Sequence, residues 1–186
     1  MTELEGALVE IVSFLGEMQW PYMLIGGLAV AMWGEARATL DVDVSVWVEP
    51  ELFEAAISQI SARFRTIPDA LEFARRSRVV PILTSQGIRG DIIMGALPQE
   101  HILIGRAVWK TVAGTGIRVA AVEDLILMKL ISERPKDLDD AGRLLRRFRA
   151  TLDTSYLEPQ IRELAEALAR PDIVELYLAE MRTAPT

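Results

Sequence analysis

Leu4, Leu8, Ile11, Val12 and Leu15 recur at the spacing of one helix face. This predicts an amphipathic helix over residues 3–19, stopped by Trp20-Pro21. The period then changes. Residues 22–25 are short and apolar, as a buried strand is. Gly26-Gly27 follows as a turn, and residues 28–33 read as a helix closed by Gly34 at its C-cap. From 39 to 46 polar and apolar residues alternate without exception: Thr39, Asp41, Asp43 and Ser45 against Leu40, Val42, Val44 and Val46. A period of two is the signal of a strand with two unlike faces.

Further on, Glu49-Pro50 opens a helix whose inner face is Phe53, Ala56, Ile57 and Ile60. A loop at Pro68 and a helical turn near 69–75 come next. Residues 78–84 and 88–94 then read as two strands joined by Ser85-Gln86-Gly87, with Pro81 marking the first as an edge or bent strand. Residues 98–106 hold the only histidine, His101, with nothing nearby to complete a triad. Residues 109–112 and 117–119 suit a hairpin around Gly114-Thr115-Gly116. A helix over 122–132 is apolar on nearly every side, another runs from Arg134 to Phe148, and the remainder from Tyr156 is helical and split by Pro171. The pattern predicts an α+β fold: a short mixed sheet with packed helices. Residues 1–120 form its α/β core, and residues 121–186 form a C-terminal helical region packed on that core as part of one compact unit.

Candidate chemistry sits on the alternating strand. Asp41 and Asp43 share a face, with Cα atoms roughly 6.6 Å apart at ~3.3 Å per residue. Two carboxylates so placed can converge on a cation pair, and two-metal phosphoryl-transfer sites hold their ions about 3.5–4 Å apart. Gly26-Gly27 permits positive φ and close approach of a ligand to the backbone, beside helix N–H groups that favour anions. Alone, each half has a plain reading, a tight turn and a solvated strand face. Together they serve one ligand, a metal-bound nucleoside triphosphate.

Other residues stand out by context. Asp91, between Gly90 and Ile92 in an apolar strand, faces water or is a third metal-site carboxylate; Asp69, in a loop, is a secondary candidate. Arg37 is a surface charge or a contact to phosphate or to the aspartates. Lys129, among Leu125, Ile126, Met128 and Leu130, needs an anion or a path to water. Asp137 and Asp140 share a helix face at i, i+3, with Asp137 reading as a cap. Arg143, Arg146, Arg147 and Arg149 form the one basic cluster, a solvated face or a contact for RNA or protein.

Gly26-Gly27, Gly34, Arg37, Thr39 and Asp41-Val42-Asp43 together resemble the signature of the DNA polymerase β-type nucleotidyltransferase superfamily, in its small bacterial branch around the AbiEii-type toxins. The resemblance is fullest over residues 22–47 and extends to about residue 148. Many members carry Gly-Ser where this chain has Gly26-Gly27. The resemblance implies the nucleotidyltransferase fold, with Asp41, Asp43 and Asp91 as catalytic residues holding two Mg²⁺ (or Mn²⁺) ions. It also implies nucleotide contacts from Gly26, Gly27, Arg37, Thr39, Lys129 and Lys136, with Asp91 helping to activate the attacking hydroxyl. The implied reaction moves a nucleoside monophosphate from an NTP such as ATP to an acceptor hydroxyl on RNA or a tRNA end, on protein or on a small molecule. A toxin–antitoxin pair, with a cognate antitoxin as partner, is one setting for it. The alternative is a catalytically degenerate module of the same fold that binds a nucleotide or a partner protein.

Composition narrows the picture. The net charge of −7, from 27 acidic and 20 basic residues, argues against a broad non-specific grip on nucleic acid. The absence of cysteine excludes a disulfide framework and a thiolate zinc site. No apolar run escapes charge for the ~18 residues of a membrane span, and the acidic, amphipathic start is unlike a secretory signal. No membrane partner and a cytoplasmic location are therefore expected.

Overall fold

Alternation becomes a sheet where one face can be buried, and here that face is complete. The structure, a computed structural model, describes residues 2–35 and 39–182; Arg37 lies outside them. In β2 (Asp41–Val46) the valines Val42, Val44 and Val46 are fully buried, while Asp41 is exposed and Asp43 half-buried. Ser45 is the exception on the polar face, since it too is buried.

Among the described residues seven strands form one mixed sheet, in the order β3-β4-β5-β2-β1-β7-β6. The remaining strands are β1 (Tyr22–Ile25), β3 (Arg65–Thr66), β4 (Val79–Leu83), β5 (Arg89–Met94), β6 (Val108–Val112) and β7 (Thr115–Val119). β2 runs antiparallel to β1 and parallel to β5, and β5 is antiparallel to β4. β3 pairs only with Ile82 and Leu83, so Pro81 sits just past it with no ladder to break on that side. The two-residue β3 has no readable period and is missed by the sequence pattern. The β6–β7 turn is Ala113-Gly114, both at positive φ (48° and 82°), rather than the expected Gly114-Thr115-Gly116. Two such residues make the tight connection that suits a twisted hairpin.

Helix α1 (Glu3–Glu17) starts with a reciprocal cap: the Glu5 amide donates to Thr2 Oγ1 (3.1 Å) and the Thr2 amide donates to Glu5 Oε2 (2.7 Å). It packs on β2 through its apolar face, where Leu8, Ile11 and Leu15 are almost wholly buried. Gly90 belongs to that contact, because a Cβ there would meet the Val42 carbonyl oxygen at 2.9 Å and Ile11 Cδ1 at 3.2 Å. α2 (Gly26–Met32), α3 (Phe53–Arg63), α4 (Ala70–Ser77) and α5 (Pro98–Arg106) complete this part of the chain. α5 is absent from the sequence reading, and the reason is physical. Only Ile104 of that helix is buried while Ile102 is 59% exposed, so no clean apolar stripe marks it.

The chain divides into two compact units. The first holds α1, β1, α2 and the chain from β2 to Ala120, and therefore the whole sheet. The second holds the short stretch opening at Trp33 and the chain from Ala121 on, with α6 (Val122–Ile131), α7 (Pro135–Phe148), α8 (Thr154–Ala167) and α9 (Asp172–Arg182). Among the described residues no helix is long and apolar enough to cross a membrane.

Candidate active site

The strand register brings the three sequence-predicted aspartates onto one sheet face. Asp41 and Asp43 share it through the period of β2. Asp91, on the parallel neighbour β5, is the register partner of Asp43, and Arg89 is the partner of Asp41. Paired residues on adjacent strands lie about 4.8 Å apart and point the same way.

Each carboxylate has its own setting. The Thr39 hydroxyl donates to Asp41 Oδ1 at 2.8 Å, so this threonine holds the aspartate just before the strand begins. Asp43 lies against the β1–α2 turn: Ile25 is its partner across the sheet, and a Cβ on Gly26 would fall 2.0 Å from Asp43 Oδ2. Gly26 is required twice, since its φ of +69° also lies where side chains are disfavoured. The helix starts at Gly26 itself, two residues earlier than its sequence pattern, and Gly27 is buried in its first turn. Burial raises the Asp91 carboxyl above its ordinary value, and the charge of Asp41 pushes the same way; Arg89 works against both. A cavity of about 210 Å³ opens beside these groups, lined by Asp41, Pro81, Ile82, Arg89, Gly90 and Asp91.

The donor set fits a hard divalent cation, which takes carboxylate oxygens: three aspartates on one face, two of them already repelling each other. Among the described residues no three His, Asp or Glu side chains already converge as a finished metal cage.

Lys129 and Lys136 belong to the helical unit. Lys129 is buried, and its Nζ donates to Asp137 Oδ1 (2.5 Å) and lies 3.2 Å from Asp140 Oδ2. The anion that the sequence demands for Lys129 is thus supplied within its own unit. Ser132 Oγ (2.8 Å) and Arg134 Nε (2.6 Å) donate to the other Asp137 oxygen. Burial works to raise the Asp137 carboxyl, but hydrogen bonds from Lys129 and Ser132 and the charges of Lys129 and Arg134 outweigh it and hold it below its ordinary value. Asp137 therefore does not cap α7, whose N-cap Arg134 makes no side-chain cap; the expected cap is spent on Lys129. Lys136 is exposed in the first turn of α7. In the basic cluster, Arg143 pairs with Asp139, Arg146 with Glu180 (2.5 Å) and Arg147 with Glu35 (3.5 Å). Asp69 initiates α4 at a positive φ of 57°, and His101 stacks on Trp47 with ring centroids 4.8 Å apart.

Arg89 is the site residue that sequence reasoning misses. Its signal was present: Arg89-Gly90-Asp91 at strand period puts the arginine on the face of Asp91. A second cavity, about 620 Å³, lies between α8 and α9 against Ala165, Glu166, Ala169, Pro171, Val174 and Glu175, within the helical unit.

No protein-family model and no curated protein sequence matches the chain. Solved structures do. An antigenic nucleotidyltransferase-like protein from Paracoccidioides brasiliensis superposes with a TM-score of 0.55 at 15% identity, over 97% of this chain and 94% of that one. The lincosamide antibiotic adenylyltransferase LnuA, lincomycin-bound, gives 0.53 at 14% identity over 75% and 95% of the two chains. ANT(2")-Ia in complex with adenylyl-2"-tobramycin gives 0.51 at 15% identity over 95% of each. With a mixed sheet of this order and paired aspartates beside a glycine turn, the chain has the nucleotidyltransferase fold.

Proposed function

We propose that the chain transfers a nucleoside monophosphate from an NTP to an acceptor hydroxyl, releasing pyrophosphate. One observation carries this reading: the register that sets Asp91 beside Asp43, two residues along from Asp41, on a single face next to a glycine turn and a cavity. Asp41, Asp43 and Asp91 are the donors that would hold Mg²⁺ or Mn²⁺. Once bound, such an ion supplies charge neutralisation on phosphate oxygens. Thr39 fixes the Asp41 carboxylate, and Gly26 leaves Asp43 the room that any side chain would take. Asp91, whose carboxyl burial raises above its ordinary value and which borders the cavity, is the group assigned as proton acceptor. It takes the proton from the acceptor hydroxyl as the oxygen attacks the α-phosphorus and the bond to pyrophosphate breaks. The triphosphate is placed at the β1–α2 turn, where Gly26 lies against Asp43.

A small-molecule hydroxyl is the acceptor class favoured here. The net charge of −7 and the carboxylate partners of Arg143, Arg146 and Arg147 leave little basic surface for RNA. Two of the structural neighbours are antibiotic adenylyltransferases or carry an adenylylated antibiotic. Membership of the AbiEii-type branch, and with it an antitoxin partner, rests on the motif spacing of residues 22–47. The second reading is a non-catalytic nucleotide-binding module, favoured by the lack of a finished three-carboxylate cage among the described residues. Calorimetric titration with each NTP, with Mg²⁺ and with EDTA, tests the proposal. Wild type should bind only with Mg²⁺, and Asp41→Asn and Asp43→Asn should not bind. Equal binding by the variants would refute it.

A further inference from the structure

The glycine turn and the cavity lie on opposite sides of the aspartate strand. β1, which leads into Gly26, flanks β2 on one side; β5 and then β4, whose residues line the cavity with Asp41, flank it on the other. If the turn receives the triphosphate, the cavity is where the acceptor enters, next to Asp91. Its lining is of mixed charge. Asp41 and Asp91 suit a cation or a hydroxyl, Pro81 and Ile82 are apolar, and Arg89 is a cation. Arg89 stands in register with Asp41, yet among the described residues its guanidinium makes no hydrogen bond or ion pair, unlike Arg134, Arg143 and Arg146, each held by a carboxylate. Although its charge favours the Asp91 carboxylate, an exposed guanidinium on a cavity wall still offers a planar fork for two oxygens of a carboxylate or phosphate. The volume of about 210 Å³ is below the 300–1,000 Å³ typical of drug-sized ligands, which points to a compact group.

We propose that Arg89 determines acceptor specificity by binding an anionic group, phosphate or carboxylate, carried by a small acceptor close to its reacting hydroxyl. This rests on the nucleotidyl-transfer reading of the aspartate face. The test uses three probes with one carbon skeleton: glycerol 3-phosphate, glycerate and glycerol. Wild type, Arg89→Gln and Arg89→Lys are first titrated with Mg-ATP and the other Mg-NTPs, and then, saturated with a non-hydrolysable analogue of the tightest, with each probe. Binding is followed by calorimetry.

The expected result is equal NTP affinity in all three proteins. The wild type binds at least one anionic probe about tenfold to a hundredfold more tightly than glycerol. That preference is lost in Arg89→Gln and partly kept in Arg89→Lys. The better of the two anionic probes identifies the oxyanion. Two outcomes of the probe titrations overturn the proposal: no preference over glycerol in wild type, or a preference that survives Arg89→Gln. Loss of NTP affinity in Arg89→Gln also overturns it and moves Arg89 to the triphosphate. Failure of the wild type to bind any Mg-NTP is a separate result, which removes the nucleotidyl-transfer reading and this inference with it.

Discussion

Gly26→Ala puts a methyl group where the carboxylate of Asp43 now sits. Its cost has two parts that the structure allows to be separated. The first is backbone strain: at φ +69° a residue with a Cβ pays about 1–2 kcal/mol. The second is overlap, because the new Cβ would lie 2.0 Å from Asp43 Oδ2, 2.8 Å from Cγ and 2.9 Å from Cβ. The carboxylate can swing away, but the Cβ of Asp43 is fixed to β2, so the strands must also give. Overpacking of this kind costs about 1–3 kcal/mol. Gly87 provides the control, with φ +74° and nothing within 4 Å of an added Cβ. Gly87→Ala should therefore lose only the strain, about 1–2 kcal/mol, and Gly26→Ala about 2–5 kcal/mol in all. At roughly 2–4 °C per kcal/mol for a chain of this size, Gly26→Ala melts clearly below Gly87→Ala. Urea denaturation followed by circular dichroism measures both. Gly26→Ala/Asp43→Ala removes the carboxylate, so it should be less destabilised than the sum of its single variants. Equal losses for Gly26→Ala and Gly87→Ala, or strict additivity in the double variant, would refute the close approach of Asp43 to the turn.

Further predictions concern the charged clusters. Lys129→Met strips the cation from buried Asp137 and Asp140 and should cost about 3–5 kcal/mol in urea denaturation; an unchanged midpoint would contradict the pairing. The Asp137 carboxyl is held below its ordinary value. Its stabilisation is therefore complete above the unfolded pKa of about 3.9 and is lost as pH falls through the lower folded value. Asp137→Asn should flatten the acid limb of a stability profile between about pH 2 and 5, and an unaltered limb would count against this assignment. Divalent cations should raise the melting temperature of wild type by relieving repulsion between Asp41 and Asp91, by an amount set by mass action of up to about 2.7 kcal/mol at one hundred times Kd. Asp91→Ala should respond less, and an identical response would remove Asp91 from the metal site.

What the sequence disclosed follows from what each residue buries. β2 was readable because Val42, Val44 and Val46 all face the core, which makes the alternation strict. Asp41, Asp43 and Asp91 were readable because carboxylates stand out in apolar strands. That Asp91 lies beside Asp43 was not, since register depends on which strands meet. α5 escaped notice because its apolar residues Ile102 and Leu103 lie off a single buried stripe. Lys129 announced its need for an anion, but its partners came from a helix turn that local pattern reads as a cap. Arg89 carries no such mark, because an exposed arginine has many plain readings and its place beside the cavity depends on which strands meet.

The central claim is that the aspartate face carries out nucleotidyl transfer. The most direct measurement incubates the protein with each NTP labelled on its α-phosphate, Mg²⁺, and a cell extract holding small metabolites, RNA and protein, and separates the labelled products by class. The account predicts a labelled product, in the small-molecule fraction, from wild type with Mg²⁺, and none from Asp41→Asn/Asp43→Asn or in the presence of EDTA. No product with any of the four NTPs, or the same product from the double variant, would contradict it.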